Sequence, residues 1–539
     1  MYMRYSILCT ALIFFLSAFP FNRAEAQTAK FSEPINNFYQ THSIQTLWLN
    51  SNGQLQQKAL TLIRYLENAW KHGLNPEIYH LDIINAYIQN PQNTAPRYLD
   101  TLISDAFIRY AQDLTSMRVN ANDIEQFERY WRKPLPADLL LATALRTTDL
   151  EEYLKTLTPT STLYKRLQEE LIQLHNELSQ QNYIEAATFS LEDRRYLKPG
   201  QRHTDLVPKL RTHFSIPAKD PSQTGMYDEY LANEISIFQR KNYIEPDGII
   251  GPKTLSLLNR TKEDQFYQII ANMHRLRWMD SYRPDKYILV NIPASTLWAV
   301  NDGAVELETP VIVGRKKRPT LSFQTEVRGV RFNPTWTVPP TIKRQDYFPL
   351  LQEDPLALQK KGIEIKYDGE TIDPTTVDWA NLDPRELHAL QMVQAPGQDN
   401  PLGRIRILMP NKFNIYLHDT SNPEYFLEYD RQFSSGCVRV KDPEKLANFI
   451  LSENKNWNEN YVENKLSTGR MIDILAEKQI PVYLLYLTIW LNDDGSITYG
   501  PDIYEWDELF INVLKQENLT IQRNQLKTNL NTRVASSNS

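Results

Sequence analysis

Apolar and polar residues follow two different periods along this chain, and the change of period divides it. From residue 27 to about residue 200 apolar positions recur every three or four residues. In "SNGQLQQKALTLIRYLENAWKHGLNP" they fall at Leu60, Ile63, Leu66 and Trp70, one face of a helix, with Gly73 placed to stop it and Pro76 just beyond. The same spacing predicts helices over 100–119 and 162–180. His175 in the second has no ligand residue at i+3 or i+4, so it reads as a solvated or capping side chain. Between 205 and 259 helical spacing runs through Leu231, Ile235 and Phe238 into a tight turn at Asp247-Gly248, and Pro252 opens a short helix. From about Lys286 the period becomes two: "KYILVNIPASTLWAVNDGAVELETPVIVG" alternates, with Asp302-Gly303 marking a hairpin, and "VRGVRFNPTWTVPPTI" continues to Ile342. The alternation lapses between Lys343 and about Gly403. There "LLQEDPLALQKKGIEI" and "DPRELHALQMVQAPGQDN" predict helices and loops, an insertion over the face of a β domain of the kind that forms lids. Strands resume at "RIRILMPNKFNIYLHDT" and end with "PVYLLYLTIWLNDDGSITYGPDIYEWD".

Composition agrees with several globular domains. The chain has 539 residues, 41% hydrophobic and 23% charged, enough for about three or four domains at roughly 150 residues each. A net charge of −6 with no Lys/Arg-dense stripe gives no push toward nucleic acid. The first 26 residues, with Arg4, an apolar run from Ile7 to Phe19 and the small-x-small end Ala24-Glu25-Ala26, have the layout of an export signal cleaved before Gln27. The run is short for a membrane anchor, and "IPVYLLYLTIWL" stops at Asn492, so it reads as a buried strand and no stable membrane insertion is expected.

Cleavage would remove Cys9 and leave Cys437 as the one cysteine of an exported chain. An odd thiol in an oxidising compartment is a reactive group, an intermolecular bridge or a small buried hydrophobe, and the count alone does not choose. Its surroundings favour the first. In "HDTSNPEYFLEYDRQFSSGCVRV" Gly436 lets the backbone approach a carbonyl oxygen, so nearby amides can serve an oxyanion. Arg439, two residues along a strand, would share the face of Cys437 and favour thiolate, and His418 ends the apolar run "FNIYL" as the candidate base. Neither CxxC nor HxxxH occurs among the cysteines and histidines, so no metal site or cofactor is expected, and Ser434-Ser435-Gly436 is not a GxSxG serine elbow.

The stretch resembles the signature of the L,D-transpeptidase catalytic domain, a histidine followed at a set distance by Ser/Thr-His-Gly-Cys. Ser434-Ser435-Gly436-Cys437-Val438-Arg439 follows His418 after 15 residues, with Ser435 where most of the family has a second histidine. That departure, with "FNPTWTVPPTI", "QAPGQDNPLGRIRILMPN" and "IYLHDT", is similar to the long branch carrying a helical domain, a peptidoglycan-binding domain and a lid. Residues 205–259 resemble the small three-helix peptidoglycan-binding repeat, signature FQ…DGxxGxxT, through Phe238, Gln239, Asp247, Gly248, Gly251 and Thr254.

The resemblance implies a multidomain α+β protein. A signal at 1–26 would precede a helical scaffold at 27–200 and a peptidoglycan-binding-like domain at 201–262. A mainly β catalytic domain would span 263–510 with a helical lid at 343–403, followed by a C-terminal helix and disordered tail at 511–539. It further implies a periplasmic enzyme whose partners are peptidoglycan stem peptides and the glycan polymer. Cys437 would form a thioester with His418 as base, and 3→3 cross-links would result. Gly436, Ser435 and Ser434 would serve the oxyanion or position the loop. Arg439 would hold a stem carboxylate, Trp336 would line the donor groove or pack in a core, and carbapenems would acylate Cys437. A hydrolase using the same thioester and a wall-binding protein without catalysis are the alternatives.

Overall fold

A computed structural model describes residues 33–90, 95–116, 134–179, 188–278, 284–458, 460–492 and 494–513. The expected export signal and most of the polar tail lie outside them. Among the described residues no helix is long and apolar enough to cross a membrane.

The N-terminal part is helical, with its own core from Ile35 to Leu157. Helix Gln57–Glu67 and the 3-10 turn Ala69–His72 end at Gly73, whose φ of +65° is the left-handed cap the sequence predicted. The buried stripe is Ala59, Leu62, Ile63 and Leu66; Ile63 and Leu66 lie on the predicted face, and Leu60 stays 46% exposed. Helix Thr162–Leu178 departs from this core and packs instead with helix Lys262–Trp278 and the strands that follow.

Helix Lys262–Trp278 is the joint of the molecule. Arg275 forms a buried ion pair with Asp507, whose other oxygen accepts from Thr488 Oγ1. Arg277 donates to Tyr164 Oη at 3.1 Å and to the His72 carbonyl. Buried charges are tolerated only when paired, and removing one partner of such a pair costs about 3–5 kcal/mol. One helix therefore fastens the helical part and the strand part to each other.

Between them sits the small unit whose motif the sequence displayed, and the motif proves to be its scaffold. Buried Gln239 donates from Nε2 to Asp247, to the Ile249 carbonyl and to Thr254, and its Oε1 accepts from Gly248 N–H. One amide thus closes the DG turn onto the helix that follows. Lys253 pairs with Asp430, and Tyr243 packs edge-on against Trp490 at 4.9 Å, so the unit rests on the strand domain.

The strand domain begins at the predicted change of period. Strands β1 (Lys286–Asn291), β2 (Thr296–Asn301), β3 (Ala304–Gly314) and β4 (Phe323–Phe332) precede an insertion that contains β5 (Trp336–Thr337), β6 (Ile363–Tyr367), β7 (Glu370–Thr371) and β8 (Gln391–Gln394). After it come β9 (Ile405–Leu408), β10 (Leu417–His418), β11 (Gln432–Ser434), β12 (Val438–Val440) and β13 (Ile472–Leu485). Asp302 and Gly303, both with positive φ, form the tight β2–β3 turn. The main sheet runs β11-β3-β12-β10-β9-β4-β13-β1-β2, and β2 also pairs with β3, so it closes into a barrel with β11 outside the ring. Inward residues such as Val330, Ile405, Ile407, Leu417, Val438 and Val440 fill it.

The insertion differs from the helical lid that the sequence predicted. Besides the helical run from Pro340 to Glu353 it carries a four-stranded sheet, β5-β8-β6-β7, and its own apolar core. Strands β5 and β7 have two residues each, too few for alternation to be legible, and β6 and β8 are bracketed by helical or loop runs.

Candidate active site

Alternation decides what faces what. Leu417 on β10 and Val438 and Val440 on β12 point into the barrel, so His418 and Arg439 point outward. The two strands run parallel with Leu417 opposite Val438 and His418 opposite Arg439. Cys437, one step before β12, therefore stands opposite Tyr416 on the same outer face as His418, a diagonal neighbour of the imidazole. Side chains 19 positions apart in sequence are brought together by register alone.

The row extends further. Arg406 on β9 is opposite His418, Arg331 on β4 is opposite Arg406, and Asp473 on β13 is opposite Arg331. Asp473 takes Arg331 in a two-point ion pair at 2.6 and 2.7 Å. Arg406 and Arg439, on either side of the histidine, pair with no carboxylate among the described residues; Arg406 Nε and Arg439 Nη1 are buried without any hydrogen-bond partner there. The Arg406 guanidinium lies 3.7 Å over the Tyr416 ring.

His418 is 5% exposed. Its Nδ1 contacts the Asp419 carbonyl, which can only accept, so Nδ1 carries the proton and Nε2 keeps a lone pair. Burial, then the charge of Arg439, then that of Arg406 hold its pKa down at about 3 against the pull of that carbonyl. The imidazole is neutral at neutral pH. Asp419 is fixed in turn: its carboxylate accepts from Arg404 N–H and Thr420 N–H, both at 2.7 Å. Gly403, at φ +59°, makes room, since a Cβ there would meet that carboxylate at 2.3 Å.

The thiol is half-buried, and its hydrogen bond runs to the Asn414 carbonyl at 3.6 Å. Burial pushes its pKa up, while the Tyr416 backbone and the charges of Arg406 and Arg439 pull it down without prevailing. Arg439 does favour the thiolate, as its place in the sequence suggested, but burial outweighs the two cations.

Around it the loop is tightly determined. Gly436 has φ +113°, a conformation that requires glycine. Its N–H is already donated to Ser434 Oγ at 3.1 Å, while Ser434 Oγ–H donates to the Cys437 carbonyl. The Gly436 amide is therefore engaged in loop geometry, the positioning alternative of its two expected roles; the Cys437 N–H has no acceptor among the described residues. The Gly436 carbonyl accepts from Thr320 Oγ1 at 2.8 Å, and Tyr504 braces Thr320 and Gly314 from below. Ser435 is exposed and accepts from Arg318 Nη1 at 3.2 Å. Trp336 is 7% exposed in the core of the insertion, edge-on to Tyr347, so of its two expected places the structure puts it in core packing and not in a groove.

A family model described as the L,D-transpeptidase catalytic domain matches residues 285–474, spanning this whole arrangement. The chain carries an L,D-transpeptidase catalytic domain. Models described as "Scaffold domain" and "Putative peptidoglycan binding domain" match residues 33–171 and 212–258. A curated relative, "Putative L,D-transpeptidase" of Haemophilus influenzae (strain ATCC 51907 / DSM 11121 / KW20 / Rd), is 34% identical over 249 residues, 46% of this chain. The alignment spans 50% of that relative's length. Two solved structures, the Ldtfm-avibactam carbamoyl enzyme and an L,D-transpeptidase (residues 123-326) from Xylanimonas cellulosilytica DSM 15894, are each 14% identical with a TM-score of 0.18. The first match covers 38% of this chain and 49% of that chain, the second 55% and 100%. Overlap so low carries no weight beside the family match.

In the L,D-transpeptidase domain the insertion leaves from β4 and returns to β9, at the strand ends that carry Arg331 and Arg406. On the other side of the thiol, Arg318 grips Asp346 of the insertion through both carboxylate oxygens at 2.6 Å. The insertion is thus tethered on both flanks of Cys437. Sequence reasoning missed Arg406, Asp419 and Arg318. Arg406 carried one signal, its place at a polar position of the alternating run "RIRIL".

Proposed function

We propose that the L,D-transpeptidase domain joins peptidoglycan stem peptides by 3→3 cross-links through a thioester on Cys437. The observation that carries this reading is the shared outer face of Cys437 and a neutral, Nε2-basic His418. His418 Nε2 takes the thiol proton as sulfur attacks the carbonyl between the third stem residue and the terminal D-Ala. The carbon–sulfur bond forms, the amide carbon–nitrogen bond breaks, and the proton passes from Nε2 to the departing amine. A side-chain amine of a second stem then attacks the thioester, and the thiol recovers its proton. The Cys437 N–H is the free amide for the oxyanion, Ser434 and Gly436 hold the loop, Ser435 links it to Arg318, and Arg439 offers a donor to a stem carboxylate. The thiol's bond to Asn414 must break for attack, as catalytic contacts often tighten only with substrate bound.

The peptidoglycan-binding-like unit would tether the enzyme to its polymer and raise the local stem concentration, and the reaction would take place in the periplasm, where that polymer lies. Incubating purified tetrapeptide stems with wild-type and Cys437→Ala protein tests the reading. Wild type yields cross-linked dimers and free D-Ala, and the variant yields neither while still binding the wall. Tripeptide without dimer would convert the assignment to a hydrolase.

A further inference from the structure

Three side chains stand in register across three neighbouring strands: Arg406, His418 and Arg439. In the same row Arg331 has its own carboxylate, Asp473, held at two points. Among the described residues the two arginines beside the histidine have none, and each leaves a guanidinium nitrogen buried and unpartnered there. Glu424 acts on Arg439 and Asp473 on Arg406 through the field, and among the described residues no hydrogen bond joins either pair. A buried cationic donor left open is costly, and protein structures retain such groups where a ligand completes them.

We propose that Arg406 and Arg439 form a two-arginine clamp for the terminal α-carboxylate of the donor stem, so that the domain recognises the free end of its peptide. This rests on the transpeptidase reading above. Spacing supports the assignment. The row lies two residues along the strand from Cys437, about 6.6 Å at 3.3 Å per residue. A terminal carboxylate one residue beyond the scissile carbonyl, at about 3.8 Å, with a charge-assisted hydrogen bond of about 2.8 Å, covers that distance. Chemistry supports it too: a guanidinium fork matches a carboxylate, and Tyr416 beneath Arg406 pre-orients one of the two forks.

The clamp also couples recognition to chemistry. The groups facing the imidazole are Arg406 from β9, Arg439 from β12, the Asp419 carbonyl from its own strand end and the thiol. Both guanidiniums oppose a proton on Nε2. A carboxylate seated between them cancels that opposition, so the histidine becomes a competent base only when a free chain end is bound. A stem already extended at its end would neither fill the clamp nor raise the base.

Binding, read apart from turnover, tests this. Calorimetric titration of Cys437→Ala protein with the tetrapeptide stem and with its C-terminal amide compares two ligands that differ in one charge. The acid is expected to bind about 10- to 100-fold tighter, the range for charge-assisted hydrogen bonds. Adding Arg406→Gln should remove most of that preference, and Arg406→Lys should keep part of it. Equal binding of acid and amide to the Cys437→Ala protein overturns the clamp without any further variant. A preference that survives Arg406→Gln unchanged removes Arg406 from it. Failure of the transpeptidase reading looks different: wild-type protein would release no D-Ala from the acid, whatever the titrations show.

Discussion

Arg318 and Asp346 form a two-point ion pair, 2.6 Å at each carboxylate oxygen, that latches the insertion to the loop carrying Gly436. The same guanidinium donates to Ser435, the position where most L,D-transpeptidase signatures have histidine, and to Gln345 at 2.7 Å. A contact that reaches both the Cys437 loop and the insertion transmits the position of one to the other. Asp346 sits in the π-helical turn Lys343–Tyr347, an irregularity that often marks functional segments.

Asp346→Asn removes the charge and leaves the shape. Because Asp346 is about one-third exposed, the loss of global stability is expected to stay under about 1 kcal/mol. Local opening should change more. Amide hydrogen exchange over 340–353 is expected to accelerate about tenfold while barrel amides keep their protection, and Arg318→Ala should do the same. Unchanged exchange in both variants would show that the latch holds nothing.

His418 makes stability depend on pH with a definite sign. Its pKa is held at about 3 in the folded protein, below the ordinary imidazole value in the unfolded chain. Between those values the unfolded state binds the extra proton, so stability falls as pH falls, by about 1.4 kcal/mol per pH unit for one such group. Buried His72 contributes a slope of the same sign. The measurement is therefore the difference between wild type and His418→Gln: urea midpoints at pH 7 and pH 5 should separate more in wild type. Equal separations would mean that the imidazole is not buried between the two cations.

Much of this arrangement was legible beforehand. The switch of period near Lys286 located the barrel, and His418 and Cys437 stood out as candidates, because a lone thiol beside glycine and a histidine at a strand end are local signals. Arg406 was not legible as a partner of His418, since it becomes one only through the pairing of β9 with β10. The Gly436 amide looked free because nothing in "SSGCVRV" says that the Ser434 side chain turns back on it. Strand β6 was missed because its run "IEIKY" follows directly on the helical stretch "LLQEDPLALQKKG", and Leu60 was placed on the buried face because residues one position apart on a helix are both apolar there.

Gly403→Ala should disable the site from a distance. The new methyl would meet the Asp419 carboxylate at 2.3 Å, in a backbone conformation, φ +59°, that alanine resists. Displacing Asp419 moves the carbonyl that fixes the His418 tautomer. A loss of about 2 kcal/mol or more in stability is expected, with a larger fall in kcat than in substrate affinity. Wild-type kcat in a folded Gly403→Ala protein would detach the Asp419 carbonyl from catalysis.

The central claim is that Cys437 carries the acyl group, and intact-mass spectrometry of the protein quenched in acid during turnover reads it directly. Wild-type protein mixed with tetrapeptide stem should gain the mass of the tripeptide acyl group, located on the peptide containing Cys437, and should gain the mass of a carbapenem at the same residue. Cys437→Ala protein should gain neither. Continued dimer formation by the folded Cys437→Ala protein, or an adduct on any other residue, would contradict the account.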